Sequence, residues 1–420
     1  MPDKKNESKT IKALTVLSIF LVTLDVFTGG YFAVKALKSK EVQPSVPDTS
    51  AAEPSETAAV TIPSEAATAE QTAEQKDMID TVIDGMSLHE KVCQMFIICP
   101  EDLTDGVDIK TATEATSTKL KEFPVGGLIY FEKNLETQNQ IAKFIADTKG
   151  YANENGCIPL FYGVDEEGGQ VARCADAVGT VALDSMYYYK ELGVDAAQSN
   201  ARMVAGDIAK LGFDLDFAPV ADTWSNPSNK VIGTRAYSDD FKETAKLVEA
   251  AVKGFKAGGM HCVIKHFPGH GDTEEDSHYS SAVSYRTADE LRENEYLAFK
   301  SGIDAGADMV MVGHIIVPSI DELPATLSEK IIQGELRNGL GYDGVVITDS
   351  LAMGAITNNY SSADAAVMAV KAGNDILLMP DNFAEAVTGI ENAVQSGELT
   401  EERINESVKR ILDLKRDELG

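Results

Sequence analysis

The sequence predicts an α/β protein built on a (β/α)8 barrel, and three observations lead to this prediction. Eight short and almost continuously apolar runs recur after residue 77, and such runs are typical of parallel strands covered on both faces. Amphipathic stretches with helical spacing separate the runs, among them Lys246–Ala257 and Ala288–Ala305. Several runs also end in or beside a reactive side chain, as expected where the carboxyl ends of barrel strands converge. A doubly wound open sheet is the alternative, because periodicity alone cannot show closure.

The predicted strands are short, and four of them end at a polar group. In chain order they are Met95–Cys99, Gly127–Phe131, Leu160–Asp165, Leu215–Pro219, Cys262–Phe267, Met309–His314, Gly344–Asp349 and Ile376–Pro380. Helix and strand are hard to distinguish over Val92–Cys99, where apolar residues are interrupted only by Gln94. The polar strand ends are Asp165, Lys265 with His266, His314 and Asp349. We expect these side chains to meet at one mouth of the barrel.

Composition divides the chain into three parts. Residues 1–40 contain an apolar run over residues 13–34 that is preceded by four Lys and followed by three, which predicts a membrane anchor of about 33 Å as a helix. A cleaved signal peptide is the alternative. Residues 41–76 are rich in Pro, Ser, Thr, Ala and Glu, which predicts a disordered linker. Residues 77–420 form the predicted barrel domain. The Lys-rich start predicts an extracytoplasmic domain on a single-pass anchor, or a secreted one after cleavage.

The net charge limits the possible partners. The chain has 67 acidic and 37 basic residues, giving a formal charge of −30. Residues 77–420 carry −28 of this charge. This excludes nucleic acid as a partner, because phosphate recognition needs clustered Lys and Arg. Five Cys occur without a CxxC spacing, so a disulfide framework is not indicated, although a single bridge stays open.

One glycine-containing segment concentrates the histidines. Five of the six His lie between residues 261 and 314, three of them in KHFPGHGDTEEDSHYS (Lys265–Ser280). Acid–base catalysis is one interpretation, because Asp276 could hydrogen-bond the imidazole of His278, fix its tautomer and favour its protonated form. A solvated loop with incidental His is another. A metal site is a third, with the possible ligands His266, His270, Asp272, Asp276 and His278.

The strings around this segment carry a family resemblance. KHFPGHGDT followed by DSH resembles the signature of glycoside hydrolase family 3, and its β-N-acetylglucosaminidase branch is the closest fit. Further blocks of the chain resemble the same family, so the similarity extends from about Leu88 to the end and implies a barrel fold. These blocks are Gly163–Arg173, Leu215–Asp240, Pro324–Ser328, Val345–Ile356 and Ala369–Pro380.

The resemblance implies a role for each matched position. Asp349 would be the nucleophile, and His278 would be the general acid/base assisted by Asp276. His270 and Asp272 would hold the loop. No metal or organic cofactor is implied. The substrate-binding positions would be Asp165, Arg235, Lys265, His266 and His314.

The expected function is that of a retaining exo-β-N-acetylglucosaminidase. The expected substrates are small N-acetylglucosamine-containing oligosaccharides such as wall-derived muropeptides or chitin fragments. We expect a monomer that associates with a membrane through its N-terminal segment. Another family 3 β-glycosidase, an N-acetylglucosaminide phosphorylase, a metal-dependent hydrolase and a catalytically silent wall-binding module remain alternatives at this point.

Overall fold

A computed structural model describes residues 78–104, 106–273 and 282–419. The largest sheet has eight strands, and each of them overlaps one of the eight predicted runs, which confirms the number and order of the runs. In chain order the strands are β1 (Phe96–Ile98), β2 (Gly127–Tyr130), β3 (Phe161–Val164), β4 (Leu215–Asp216), β5 (His261–Phe267), β6 (Met309–Val312), β7 (Val345–Thr348) and β8 (Leu377–Leu378).

The eight strands are parallel and follow one another around a nearly closed barrel. The hydrogen-bonded order is β7-β6-β5-β4-β3-β2-β1-β8. A parallel bridge between Ile347 of β7 and Ile376, next to β8, joins the two ends of this order. The open-sheet alternative is therefore wrong. Because all strands run in the same direction, their carboxyl ends meet at one mouth.

Helices alternate with the strands and cover the outside of the barrel. They are α1 (78–85), α2 (Leu88–Gln94), α3 (Glu114–Glu122), α4 (Gln138–Glu154), α5 (Arg173–Val178), α6 (Gly193–Ala209), α7 (Phe241–Ala257), α8 (Ala288–Glu293), α9 (Tyr296–Asp304), α10 (Gly354–Thr357), α11 (Ser362–Ala372), α12 (Phe383–Gln395) and α13 (Glu401–Leu414). A π-helix covers Lys330–Gly339, and short 3-10 turns are Pro100–Leu103, Glu132–Asn134, Met186–Leu192, Gly233–Arg235, Ala325–Leu327 and Arg416–Glu418.

Additional short strands lie at the mouth of the barrel. Glu166–Gly168 pairs with Val171–Ala172 in an antiparallel hairpin directly after β3. Ala282–Val283, Ile315–Val317 and Asp321–Pro324 form a second small sheet. The chain segments that follow the barrel strands therefore carry structure of their own.

One predicted helix is interrupted. The pattern over Ala288–Ala305 forms two helices, α8 and α9, which are separated at Asn294. The Asn294 side-chain amide donates to the backbone oxygen of Glu290 at 2.9 Å, and this local bond competes with continuation of the helix. The interruption brings the carboxyl group of Glu295 into the protein, where it is buried.

The predicted anchor and linker, residues 1–40 and 41–76, lie outside the described residues. Within 78–104, 106–273 and 282–419, no helix is long and apolar enough to cross a membrane. All five Cys are described and all are free, four of them buried.

A buried carboxylate attaches the last helix to the amino end of the barrel. Asp375 precedes β8 and is fully buried. It accepts from Arg337 Nη2 at 2.6 Å, from Ser407 Oγ at 2.6 Å and from Arg410 Nη1 at 3.1 Å. The backbone amide of Val346 in β7 donates to it at 3.0 Å. One side chain thus links β7, the π-helix and α13.

We predict that Asp375→Asn lowers the free energy of unfolding by about 3–5 kcal/mol, because it leaves buried guanidinium groups without a counter-charge. The matched control is Asp147→Asn, which removes an exposed i,i+4 pair with Lys143 and should cost less than about 1 kcal/mol. Urea unfolding followed by circular dichroism measures both variants. Equal, small losses would contradict the proposed link.

Candidate active site

A cavity of about 310 Å³ opens at the carboxyl ends of the strands. This volume lies at the lower end of the roughly 300–1,000 Å³ typical of small-molecule sites. One part of the wall is apolar, including Ile129, Phe217, Met311, Leu378 and Met379. The polar part includes five residues that the sequence selects: Asp165, Arg235, Lys265, His266 and Asp349. The structure therefore brings most of the predicted site residues together.

Asp349 follows β7 and faces this cavity. Its backbone amide donates to Val312 of β6 at 2.9 Å, and the amide of Ser350 donates to its Oδ1 at 2.7 Å. Burial alone would raise the pKa of Asp349. The nearby His314, His266 and Lys265 and the Ser350 amide outweigh burial and hold this pKa below its usual value. The carboxylate is therefore ionised and available as a nucleophile or a charge stabiliser at neutral pH.

A chain of ion pairs forms the opposite wall. Lys265 Nζ lies 2.8 Å from Asp165 Oδ1 and 2.7 Å from Glu167 Oε1. Arg235 donates from Nε and Nη2 to the two oxygens of Glu167, each at 2.8 Å. Burial opposes ionisation of Glu167, but Arg235 and Lys265 hold its pKa well below the usual range. The alternating donors and acceptors suit a neutral ligand rich in hydroxyl groups.

A second buried carboxylate orients His266. Asp222 Oδ2 lies 2.7 Å from His266 Nδ1 and accepts from the His266 amide at 3.1 Å. Its other oxygen accepts from the amide of His270 at 2.7 Å. Burial would raise the pKa of Asp222, but His266 and His270 keep it lowered. With Nδ1 held by Asp222, Nε2 is the His266 nitrogen left for a ligand.

The turn after β5 is attached firmly to the segment after β4. Asn229 Nδ2 donates to the oxygen of His270 at 2.7 Å, and the amide of Asn226 donates to the oxygen of Gly271 at 3.1 Å. A Cβ at Gly271 would lie 1.7 Å from the oxygen of Thr223, so only glycine fits there. These contacts fix the chain up to Thr273.

His270 and Asp272 make the contacts of loop-holding residues. His270 Nδ1 lies 2.6 Å from Thr273 Oγ1. Asp272 accepts from Ser284 Oγ at 2.6 Å, so it connects the two chain ends that flank residues 274–281. Asp276 and His278, the predicted acid/base pair, lie within 274–281 and so outside the described residues.

His314 lies behind the cavity wall. It is fully buried, its Nδ1 is 2.6 Å from Thr326 Oγ1, and its Nε2 is 2.8 Å from the backbone oxygen of Ser350. The structure thus places His314 in contact with the residue after Asp349, and direct contact of His314 with substrate stays a prediction. As for metals, the described part of the chain holds no group of three His, Cys, Asp or Glu side chains arranged for an ion.

Two residues of the site, Glu167 and Asp222, are not predicted from the sequence. Glu167 stands within the string GVDEEGGQVAR, two positions after Asp165 and on the same side of an extended chain. The signal that could have found Glu167 is indirect. Lys265 and Arg235 are both expected at the site, and two cations that are buried together need a shared anion. Asp222 follows β4 in APVAD and carries no separate sequence signal.

The sequence of residues 87–414 matches the glycosyl hydrolase family 3 N-terminal domain. Beta-hexosaminidase A of Pseudoalteromonas piscicida is 32% identical over 347 residues, which cover 76% of this chain and 58% of that protein. Beta-hexosaminidase of Xanthomonas oryzae is 32% identical over 279 residues, covering 65% of this chain and 82% of that protein.

A solved structure shows the same similarity in three dimensions. A glycoside hydrolase family 3 β-N-acetylglucosaminidase from a Paenibacillus species superposes with a TM-score of 0.75 at 37% identity, covering 80% of this chain and 63% of that one. The chain thus spans about three fifths of the length of the Pseudoalteromonas and Paenibacillus proteins.

We predict that two adjacent glutamates affect stability with opposite pH dependence. Glu167→Gln should lower the free energy of unfolding by about 3–5 kcal/mol at neutral pH, because two buried cations lose their shared anion. Since the folded-state pKa of Glu167 is lowered, this contribution is present above about pH 4.5, the unfolded-state value. It disappears as the pH falls through the folded-state pKa.

Glu166 is the matched control. Burial raises its pKa to about 7, although the amides of Cys174 and Ala175 donate to its carboxylate. The contribution of Glu166 to stability should therefore fall as the pH rises from about 4.5 to 7, and Glu166→Gln should gain relative to the parent over that range. Urea unfolding from pH 3 to 8 measures both variants, and identical pH profiles would contradict the assignment.

Proposed function

The chain belongs to glycosyl hydrolase family 3, and we propose that it acts as a retaining exo-β-N-acetylglucosaminidase. One observation carries the proposal: an ionised aspartate at the end of β7 shares a single-sugar-sized cavity with a fixed chain of donors and acceptors. The similarity to proteins named β-hexosaminidase and β-N-acetylglucosaminidase supports the N-acetylglucosamine specificity. The proposed route requires no metal or organic cofactor.

Asp349 is the proposed nucleophile of the first step. Its carboxylate oxygen bonds to the anomeric carbon while the bond from that carbon to the leaving oxygen breaks, giving a glycosyl ester. The leaving oxygen takes a proton from the general acid. The positive groups near Asp349 keep the carboxylate unprotonated, and the Ser350 amide fixes one of its oxygens. The polar wall of the cavity orients the sugar for this attack.

His278, paired with Asp276, is the proposed acid/base. As imidazolium it protonates the leaving oxygen, and as neutral imidazole it removes a proton from the water that attacks the ester. Two inversions at the anomeric carbon give net retention. A histidine in this role adds no second negative charge near Asp349, and the Asp276 carboxylate raises its basicity. The resemblance of the string DSH in this segment to the family signature supports this role.

The polar wall is the proposed site of the non-reducing sugar. Lys265 and Arg235 donate to ring hydroxyls, and Asp165 accepts from them. His266 presents Nε2, because Asp222 holds Nδ1. His314 acts on Asp349 through Ser350 and through its charge.

The proposed cellular location and substrates rest on two features of the sequence, the apolar run near its start and the net charge of the barrel. The Lys-flanked apolar run over residues 13–34 supports attachment to the cell membrane with an extracytoplasmic barrel. A barrel of charge −28 gains nothing from steering towards anionic wall polymers. Small soluble fragments, including chitooligosaccharides, are therefore the proposed substrates of a monomeric enzyme.

We predict that Asp349→Ala lowers kcat/KM on an aryl N-acetyl-β-glucosaminide at least about 1,000-fold, a loss of about 4 kcal/mol in transition-state stabilisation. Added azide should restore turnover of this variant and yield the α-glycosyl azide, because a single displacement inverts the anomeric carbon. Asp147→Ala on α4 is the control and should match the parent. Retained hydrolysis by Asp349→Ala would refute the nucleophile assignment.

We also predict that His314→Gln moves the acid limb of the kcat/KM profile to higher pH. Activity is lost as the pH falls through the pKa of Asp349, and His314 is the leading charge that lowers this pKa against the effect of burial. Glutamine keeps hydrogen-bonding capacity but removes the charge. His89→Gln on the outer helix α2 is the control. An acid limb that does not move in His314→Gln would show that the charge of His314 does not tune Asp349.

A further inference from the structure

The imidazole of His314 is fixed by a contact at each of its two nitrogens. The residue follows β6 and is fully buried. Its Nε2 lies 2.8 Å from the backbone oxygen of Ser350, and its Nδ1 lies 2.6 Å from Oγ1 of Thr326. Thr326 belongs to the block Pro324–Ser328, to which the proposed reaction assigns no role. The positions of the protons in these two contacts decide the charge of the ring.

The contact at Nε2 requires a proton on that nitrogen. A backbone carbonyl oxygen only accepts hydrogen bonds, so Nε2 is the donor to Ser350. The same oxygen also accepts from the amide of Met353 at 3.1 Å, so both of its lone pairs have a donor. His314 is therefore either the neutral tautomer that is protonated at Nε2 or the imidazolium. The contact at Nδ1 distinguishes these two forms.

The contact at Nδ1 favours a proton on this nitrogen as well. The hydroxyl group of Thr326 has a single proton, and it donates to the backbone oxygen of Gly313 at 3.0 Å. With its proton directed at Gly313, Oγ1 faces the imidazole as an acceptor. The opposite arrangement would turn the proton towards Nδ1 and take this donor away from the carbonyl group of a buried residue, which is unfavourable.

The position of Thr326 is itself fixed. The residue is fully buried in the 3-10 turn Ala325–Leu327, and its backbone oxygen accepts from Asn374 Nδ2 at 2.8 Å. The distance of 2.6 Å between Oγ1 and Nδ1 of His314 is short, as is typical of hydrogen bonds with a charged donor. The distance and the count of protons thus agree on a ring that donates from both nitrogens.

We propose that Thr326 is a positioning residue that holds His314 as an imidazolium, so that a positive charge stays near Asp349 at the pH of catalysis. The inference rests on the proposed function and deepens it, because it identifies the residue that controls the charge next to the nucleophile. Thr326 acts only through His314 and has no contact with the sugar in this arrangement.

The charges around the nucleophile fit this assignment. Burial raises the pKa of Asp349, and His314 is the leading positive charge that lowers it. His266 and Lys265 on β5 also lower it, but each of them is already bonded to another carboxylate. Burial lowers the pKa of the nearby His270, so that ring is neutral. A buried imidazolium needs an anion close by, and Asp349 supplies one.

Nitrogen NMR of the full chain with isotope-labelled histidine reads the protonation of His314 directly. The spectrum is recorded at about pH 8, where an unperturbed imidazole with a pKa of about 6.5 is neutral. His314→Gln identifies the signals of His314, because they disappear. We expect both ring nitrogens of His314 to be protonated in the parent. An unprotonated Nδ1 in the parent would overturn the inference, whatever the threonine variants show.

Three threonine variants test the cause. Thr326→Val removes the acceptor at Nδ1 at nearly the same volume, whereas Thr326→Ser keeps the hydroxyl group. Thr148→Val on the outer helix α4 is the control, because it removes an equally buried hydroxyl that donates to the Phe144 oxygen at 2.8 Å. Thermal unfolding confirms that each variant is folded. We expect an unprotonated Nδ1 at the same pH in Thr326→Val, and the parent's signals in the other two.

The acid limb of the kcat/KM profile measures the consequence for catalysis. Without the charge of His314 the pKa of Asp349 rises, so Thr326→Val should move this limb to higher pH by about one unit. Thr326→Ser and the control should leave the limb in place. An imidazolium that persists in Thr326→Val, a limb that does not move in it, or an equal shift in Thr326→Ser would overturn the inference. If the parent hydrolyses no N-acetyl-β-glucosaminide, the proposed function fails, whereas the spectrum still decides the protonation of His314.

Discussion

Two buried cations share one carboxylate at the mouth of the barrel, and the arrangement of the candidate site depends on this interaction. Arg235 binds both oxygens of Glu167, and Lys265 binds the same group while it also contacts Asp165. Asp165 and Glu167 follow β3, Arg235 lies in the segment after β4, and Lys265 lies near the end of β5, so one network fixes three neighbouring parts of the wall. Because the charges compensate one another, they can remain ionised away from bulk water. This leaves Asp349, on the opposite side, as the separate carboxylate available for chemistry.

A similar buried carboxylate lies at the amino end of the barrel. Asp375 accepts hydrogen bonds from guanidinium and hydroxyl groups and attaches α13 to β7. Both Glu167 and Asp375 are buried acids surrounded by several donors, yet they serve different purposes. The group at the amino end joins β7, the π-helix and α13, and so it stabilises the fold. The group at the mouth orders cations that a ligand can reach, so the same physical interaction there prepares a binding surface.

The eight strands were predictable because parallel strands covered on both faces leave almost continuous apolar runs in the sequence. The strand ends at Asp165, Lys265 and Asp349 were predictable for a related reason, since a polar residue after an apolar run is conspicuous. Contacts between distant segments were not predictable in this way. Asp222 and His266 are 44 positions apart, and their 2.7 Å contact depends on how β4 and β5 pair. The same holds for His314, whose run ends at the mouth but whose ring lies behind Asp349.

The central claim is that Asp349 forms a covalent glycosyl-enzyme. The most direct test of this claim is to trap that intermediate. A 5-fluoro analogue of N-acetylglucosaminyl fluoride would form the ester quickly and release it slowly, because the ring fluorine destabilises the oxocarbenium-like transition states. Intact-protein mass spectrometry followed by peptide mapping locates the adduct. We predict one glycosyl unit per chain, attached to Asp349. A label on Asp165 or Glu167, or steady turnover with no adduct at any time, would contradict the assignment.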